Sequence, residues 1–137
     1  MQFSLSIIAF ASAALAQTAQ IGLPTEGQKV TAGSEIIVQV QRPNSLTSSQ
    51  EMAVAIGITS CGDACQSPSD VLGNVLYNGA FKPVYHESYL APYQNFSVKI
   101  PATFAAGSAQ INVAHATLIG AGPEPFLETL NQTIVVV

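Results

Sequence analysis

No tryptophan occurs in this chain of 137 residues, and only Lys29, Arg42, Lys82 and Lys99 carry a fixed positive charge. These four are scattered, so no basic patch forms, and the formal net charge is −4. Nucleic acid and anionic membrane surfaces both reward clustered cations, so neither is an expected partner. Charged residues make up 9% of the chain, against about 25% in an average soluble domain. The polar surface must come from Ser, Thr, Asn and Gln instead. Long apolar runs are also missing. The stretch from Leu5 to Leu15 falls short of the roughly 20 residues that span a bilayer, and no membrane insertion is expected.

Catalytic signatures are equally scarce. There is no Gly-x-Ser-x-Gly elbow. A glycosidase needs two carboxylates flanking a cleft, and sequence spacing pairs none of the acidic residues in that way. Most of them fall in expected turns or at strand ends, where a solvated carboxylate is ordinary. His86-Glu87 could be a carboxylate-supported base, but adjacent residues on an extended chain point to opposite sides. A loop histidine bonded to backbone is the better reading. His115 alternates with Val113 and Ile111, as a satisfied, half-buried strand histidine would. The chain is not expected to be an enzyme, and no metal or cofactor is expected.

What is present starts with "MQFSLSIIAFASAALAQ", an apolar run ending in Ala14-Leu15-Ala16. This is the small-residue pattern of a signal peptide cut after Ala16. Residues 1–16 are the expected signal peptide, and 17–137 form one expected domain beginning at Gln17. The final "TIVVV" lacks the polar spacer and length of a lipid-anchor signal. The expectation is therefore a soluble, secreted, monomeric protein. A domain of this size can bury roughly two-thirds of its unfolded surface and hold a core without metals.

Both cysteines lie in "SCGDACQ". A close, even pair in a secreted chain reads as a disulfide, Cys61–Cys65. A metal site with His86 and His115 would match no usual zinc spacing.

The mature chain reads as short strands with Gly and Pro punctuation. "EIIVQVQ" (35–41) is β-branched. "MAVAIGIT" (52–59) puts Met52, Val54, Ile56 and Ile58 on one parity. "VLGNVLY" (71–77) precedes Asn78-Gly79, a strong hairpin signal, with "FKPVY" as the returning strand, frayed by Pro83. "QNFSVKIP" (94–101), "AQINVAHATLIG" (109–120) and "ETLNQTIVVV" (128–137) complete the set. "PATFAAG" (101–107) has room for one helical turn. About seven strands at regular spacing predict an all-β, antiparallel sandwich of immunoglobulin- or fibronectin-like architecture.

Asn95-Phe96-Ser97 and Asn131-Gln132-Thr133 fit the N-glycosylation pattern. The alternation of the first puts Asn95 outward, opposite in face to Phe96 and Val98. "PVYHESYLAPYQNFS" (83–97) gathers three of the four tyrosines. Tyrosine buries area at low entropic cost and hydrogen-bonds as well, so Tyr77, Tyr85, His86, Tyr89 and Tyr93 are the candidate partner-binding residues.

Four stretches carry a family resemblance: "RPNSLTSSQEMAVAIGITSC", "LGNVLYNGAFKPVYHE", "PYQNFSVKIP" and "AQINVAHATLIGAGPEPFLETLN". Together they resemble the Nis1-type necrosis-inducing secreted effectors of filamentous fungi over essentially the whole mature chain. The resemblance implies a non-enzymatic protein that binds host plant receptor-like kinases, suppresses pattern-triggered immunity and provokes cell death when overproduced. It supplies no catalytic residues to carry over. A carbohydrate-binding or cell-wall protein using the same tyrosines is the alternative, though the missing tryptophan counts against a sugar-stacking platform. A small secreted hydrolase is the second.

Overall fold

The computed structural model describes residues 19–43 and 49–137. The signal peptide and the cleavage point between Ala16 and Gln17 lie outside the described residues. Eight strands follow one another: β1 (Gln20–Leu23), β2 (Gln28–Val30), β3 (Glu35–Gln41), β4 (Ser49–Ser60), β5 (Asn74–Ala80), β6 (Tyr93–Lys99), β7 (Gly107–Ile119) and β8 (Glu124–Val136). They form two sheets, β1-β3-β6 and β2-β8-β7-β4-β5. The architecture is a β-sandwich, with no helix among the described residues.

The strands that the sequence predicts form where β-branched residues alternate with polar ones. On β3, Val38 and Val40 point inward. On β6, Phe96 and Val98 meet them from the same sheet. The larger sheet answers with Val54, Ile56 and Ile58 on β4, Ile111 and Val113 on β7, and Leu130, Ile134 and Val136 on β8. Full burial of such a side chain is worth about 1.5–3 kcal/mol, so this double layer is what holds the sheets together. Residues 101–104, where a helical turn is expected, make a hydrogen-bonded turn and no helix, with Phe104 N–H bonded to the Pro101 carbonyl at 3.0 Å.

Three features depart from the sequence reading. First, the chain is not purely antiparallel. β1 pairs antiparallel with β3, then the chain crosses to the other sheet through Pro24–Gly27, and β2 runs parallel to β8. Both segments are too short and too near turn residues to announce themselves as strands.

Second, Asn78-Gly79 makes no hairpin. Both residues stay inside β5, opposite Ala55 and Val54 of β4. The returning strand could not form. Pro83 has no N–H to give a ladder, and Lys82 N–H is taken by Gln94 Oε1 at 2.7 Å. Only Val84 makes an isolated bridge, to Tyr93.

Third, β4 carries a bulge. Glu51 opposes Thr117 and Ala53 opposes Ala116, so Met52 has no partner of its own on β7. A bulge adds one residue to one strand and changes the face of everything beyond it. Met52 therefore lies outside, 48% exposed, although its parity in sequence matches the inward Val54. Glu51 goes in.

Residues 61–73, which begin with the Cys61–Cys65 disulfide, fold back over the outer face of the larger sheet. Two glycines permit the approach. A Cβ on Gly57 would sit 2.2 Å from the Leu72 carbonyl oxygen, and one on Gly73 would sit 2.1 Å from that of Ile58. Gly73 also has φ +84°, a conformation that side-chain-bearing residues rarely adopt.

Candidate functional site

The tyrosines of the candidate site divide into two groups. Tyr77 lies on β5 with its ring centroid 4.6 Å from that of Phe96. Its hydroxyl donates to the Ala80 carbonyl at 2.9 Å, so it packs against the core. Tyr93 starts β6 and is buried. Its hydroxyl donates to Glu87 Oε1 at 2.9 Å. His86 stacks on the Tyr93 ring with centroids 4.0 Å apart and planes 12° apart.

Glu87 thus serves Tyr93 rather than orienting His86, and the pair does not assemble into a supported base. Tyr77 and Tyr93 are lost as anchors for a partner because their rings face inward. Tyr85 and Tyr89 remain on the surface, 58% and 81% exposed, next to exposed Val84 and Leu90. Large apolar side chains that stay in water together mark an interaction surface more often than an accident of packing.

A second apolar surface lies on the uncovered half of the larger sheet. Ala53, Ala55, Ala114 and Ala116 floor a shallow groove of about 440 Å³ with Leu127 at its side.

The densest chemistry is elsewhere, among residues that sequence spacing does not pair. Four charged or titratable residues converge inside the sandwich. His115 on β7 is the direct cross-strand partner of Glu128 on β8, and its Nδ1 donates to Glu128 Oε1 at 2.8 Å. Its Nε2 donates to Glu51 Oε2. Glu51 Oε1 accepts from Arg42 Nε at 2.7 Å and from the Thr117 hydroxyl at 3.3 Å. Arg42 also donates to the Pro43 carbonyl and to Ser49 Oγ, each at 2.9 Å. Phe81 packs against the imidazole in a T-shaped arrangement, centroids 5.4 Å apart.

With a carboxylate oxygen against each ring nitrogen, both nitrogens carry protons and the ring is an imidazolium. Burial works against that charge, but hydrogen bonds to Glu128 and Glu51 and their negative charges outweigh it. His115 is held above its ordinary value. Burial likewise opposes the Glu51 carboxylate. Hydrogen bonds from His115 and Arg42 overcome this and hold Glu51 below its ordinary value. Two carboxylates thus face two cations, and the cluster is neutral as a whole.

Its role is to bind strands together. The His115 side chain has no exposed surface, so no dissolved substrate reaches the ring. The expectation that the carboxylates are solvated fails for Glu51 and Glu128, and His115 is fully rather than half buried. Three of the four members were readable. Arg42 continues the inward parity of Val38 and Val40, Glu128 that of Leu130 and Ile134, and His115 that of Ile111 and Val113. Glu51 was hidden by the bulge.

A sequence model described as the Nis1 family matches residues 14–135. The chain belongs to the Nis1 family. Among its relatives is "Necrosis-inducing secreted protein 1" of Colletotrichum higginsianum (strain IMI 349063), 32% identical over 136 residues. That alignment covers 99% of this chain and 91% of the relative, so the Nis1 likeness extends over the whole sandwich. The disulfide Cys61–Cys65 of this Nis1 member is formed, with S–S 2.03 Å.

Proposed function

We propose that this Nis1-family chain is a secreted fungal effector that provokes necrosis in plant tissue and acts by binding a host protein. The observation that carries this is the end-to-end match to a relative named as a necrosis-inducing secreted protein. The family resemblance further points to the kinase domain of host receptor-like kinases as the target and to suppression of pattern-triggered immunity as the result. The mechanism is occlusion, without covalent chemistry. The exposed tract Val84, Tyr85, Tyr89 and Leu90 supplies the anchors, because aromatic side chains dominate binding energy where they leave water.

The test is affinity capture from plant extract with the Tyr85→Ala, Tyr89→Ala double variant. Capture of the kinase and necrosis on leaf infiltration should both be lost while the thermal transition stays within about 0.5 kcal/mol of the parent, as surface substitutions do. Full capture by the double variant would place the binding face elsewhere. Retention on plant or fungal polysaccharide in a pull-down, with no protein captured, would replace this reading with carbohydrate binding.

A further inference from the structure

We infer that Asn95 carries an N-linked oligosaccharide in the secreted protein and that Asn131, the other sequon asparagine, does not. Both satisfy the Asn-x-Ser/Thr rule, so the motif alone ranks them equally. The fold separates them.

Asn95 is exposed on β6, which is an edge strand of the three-stranded sheet. Its neighbours on the outward face come from β3: Gln39 directly opposite, and Ile37 opposite Ser97. A short run of side-chain amides fixes how Asn95 is turned. Gln41 Nε2 donates to Gln39 Oε1 at 2.8 Å, and Gln39 Nε2 donates to Asn95 Oδ1 at 3.3 Å. The amide oxygen is thereby engaged on the β3 side, and the amide nitrogen, which takes the sugar, has no hydrogen-bond partner among the described residues. The Ser97 side chain, whose hydroxyl the motif requires, is exposed on the same face. Ile37 is 42% exposed beside it, and a sugar on Asn95 would cover that apolar surface. Nothing in the core has to move.

Asn131 is also exposed, on β8, where it pairs with Asn112 of β7, while β2 reaches only Ile134 to Val136. Its Nδ2 donates to Gln110 Oε1 at 3.1 Å. Gln110 in turn donates to Asn112 Oδ1 at 2.7 Å and to the Gln66 carbonyl at 2.8 Å, and Asn112 donates to the Leu72 carbonyl at 3.1 Å. This amide network holds residues 61–73 against the sheet, and Gln110 and Asn112 are fully buried. A sugar on the Asn131 nitrogen would compete with the first bond of that network and crowd the segment it anchors.

The chemistry needs a lipid-linked oligosaccharyl diphosphate as donor. The bond from the sugar C1 to the diphosphate oxygen breaks, and a C1–Nδ2 bond forms. The nitrogen loses one proton, and the lipid diphosphate leaves with the bonding electron pair.

The inference rests on passage through a eukaryotic secretory route, so the full chain is expressed in a eukaryotic host and protein is collected from both medium and cells. Presence in the medium reads secretion, and intact mass before and after peptide N-glycosidase reads the modification separately. The parent should lose the mass of one oligosaccharide, with deamidation found at Asn95 in the peptide map. Asn95→Gln and, independently, Ser97→Ala should show no loss, while Asn131→Gln should lose the same mass as the parent. An unchanged parent mass, a loss that persists in Asn95→Gln, or two oligosaccharides on the parent would each overturn the inference.

Discussion

His115 ties stability to pH from two directions because its charge and that of Glu51 depend on each other. Its folded-state value is raised, so its contribution is fully present below the ordinary histidine value of about 6.5 and is lost as pH rises through the higher folded value. Glu51 is lowered, so its contribution is present above the ordinary glutamate value of about 4.3 and is lost as pH falls through the lower folded value. The urea midpoint should therefore be flat between roughly pH 4.5 and 6.5 and fall on both sides. His115→Gln should abolish the alkaline slope and weaken the acid one, since Arg42 alone then holds Glu51 down. Glu51→Ala should be more damaging, because it leaves His115 and Arg42 facing one carboxylate between them. Breaking a buried pair costs about 3–5 kcal/mol, and urea unfolding at pH 6 measures it. Tyr93→Ala should also lower the thermal transition, since the ring is buried under His86 and its hydroxyl holds Glu87.

At the level of elements, the segment 61–73 depends more on close approach than on its disulfide. The Cys61–Cys65 ring is so short that loop entropy accounts for only about 2 kcal/mol. Gly57 lets the Leu72 carbonyl lie where a Cβ would be. Gly57→Ala should lift the segment off β4 and expose it to limited proteolysis even with the disulfide intact. Cys61→Ser should leave the amide bonds from Gln110 and Asn112 and a cleavage rate nearer the parent's. The same element scale shows what periodicity can and cannot report. β3, β6, β7 and β8 follow from alternation because each keeps its apolar side chains on one face, even where residues 61–73 also bury Gln110 and Asn112 on the other face of β7. β1 and β2 were missed because three or four residues carry no measurable period. Asn78-Gly79 misled because a turn motif acts only if the chain after it can pair, and Pro83 and the capture of Lys82 N–H prevent that.

For the whole molecule, a chain poor in charge has put two of its eight carboxylates, one of its four fixed cations and one of its two histidines into the core. That leaves an outer surface in which amides, hydroxyls and apolar side chains outnumber the remaining charges. The sandwich itself was legible, as was the inward parity of Arg42, His115 and Glu128. The placement of Glu51 was not, since parity counted through β4 gives the wrong face. The bulge at Met52 has a further effect on the chain's tolerance of changes in length. Removing Met52 would make the pairs Glu51–Thr117 and Ala53–Ala116 consecutive, and every inward side chain would stay inward. Removing Ala55 would misplace only Val54 and Ala53, because the extra residue at 52 absorbs the slip before Glu51 is reached. β7 has no such slack towards β8, where thirteen pairs run without a break from Gly107 to Ile119. Deleting Met52 should shift the thermal transition by no more than a surface substitution, about 0.5 kcal/mol, whereas deleting Ala114 should abolish soluble expression. β4 can thus lose a residue without turning Glu51 outward.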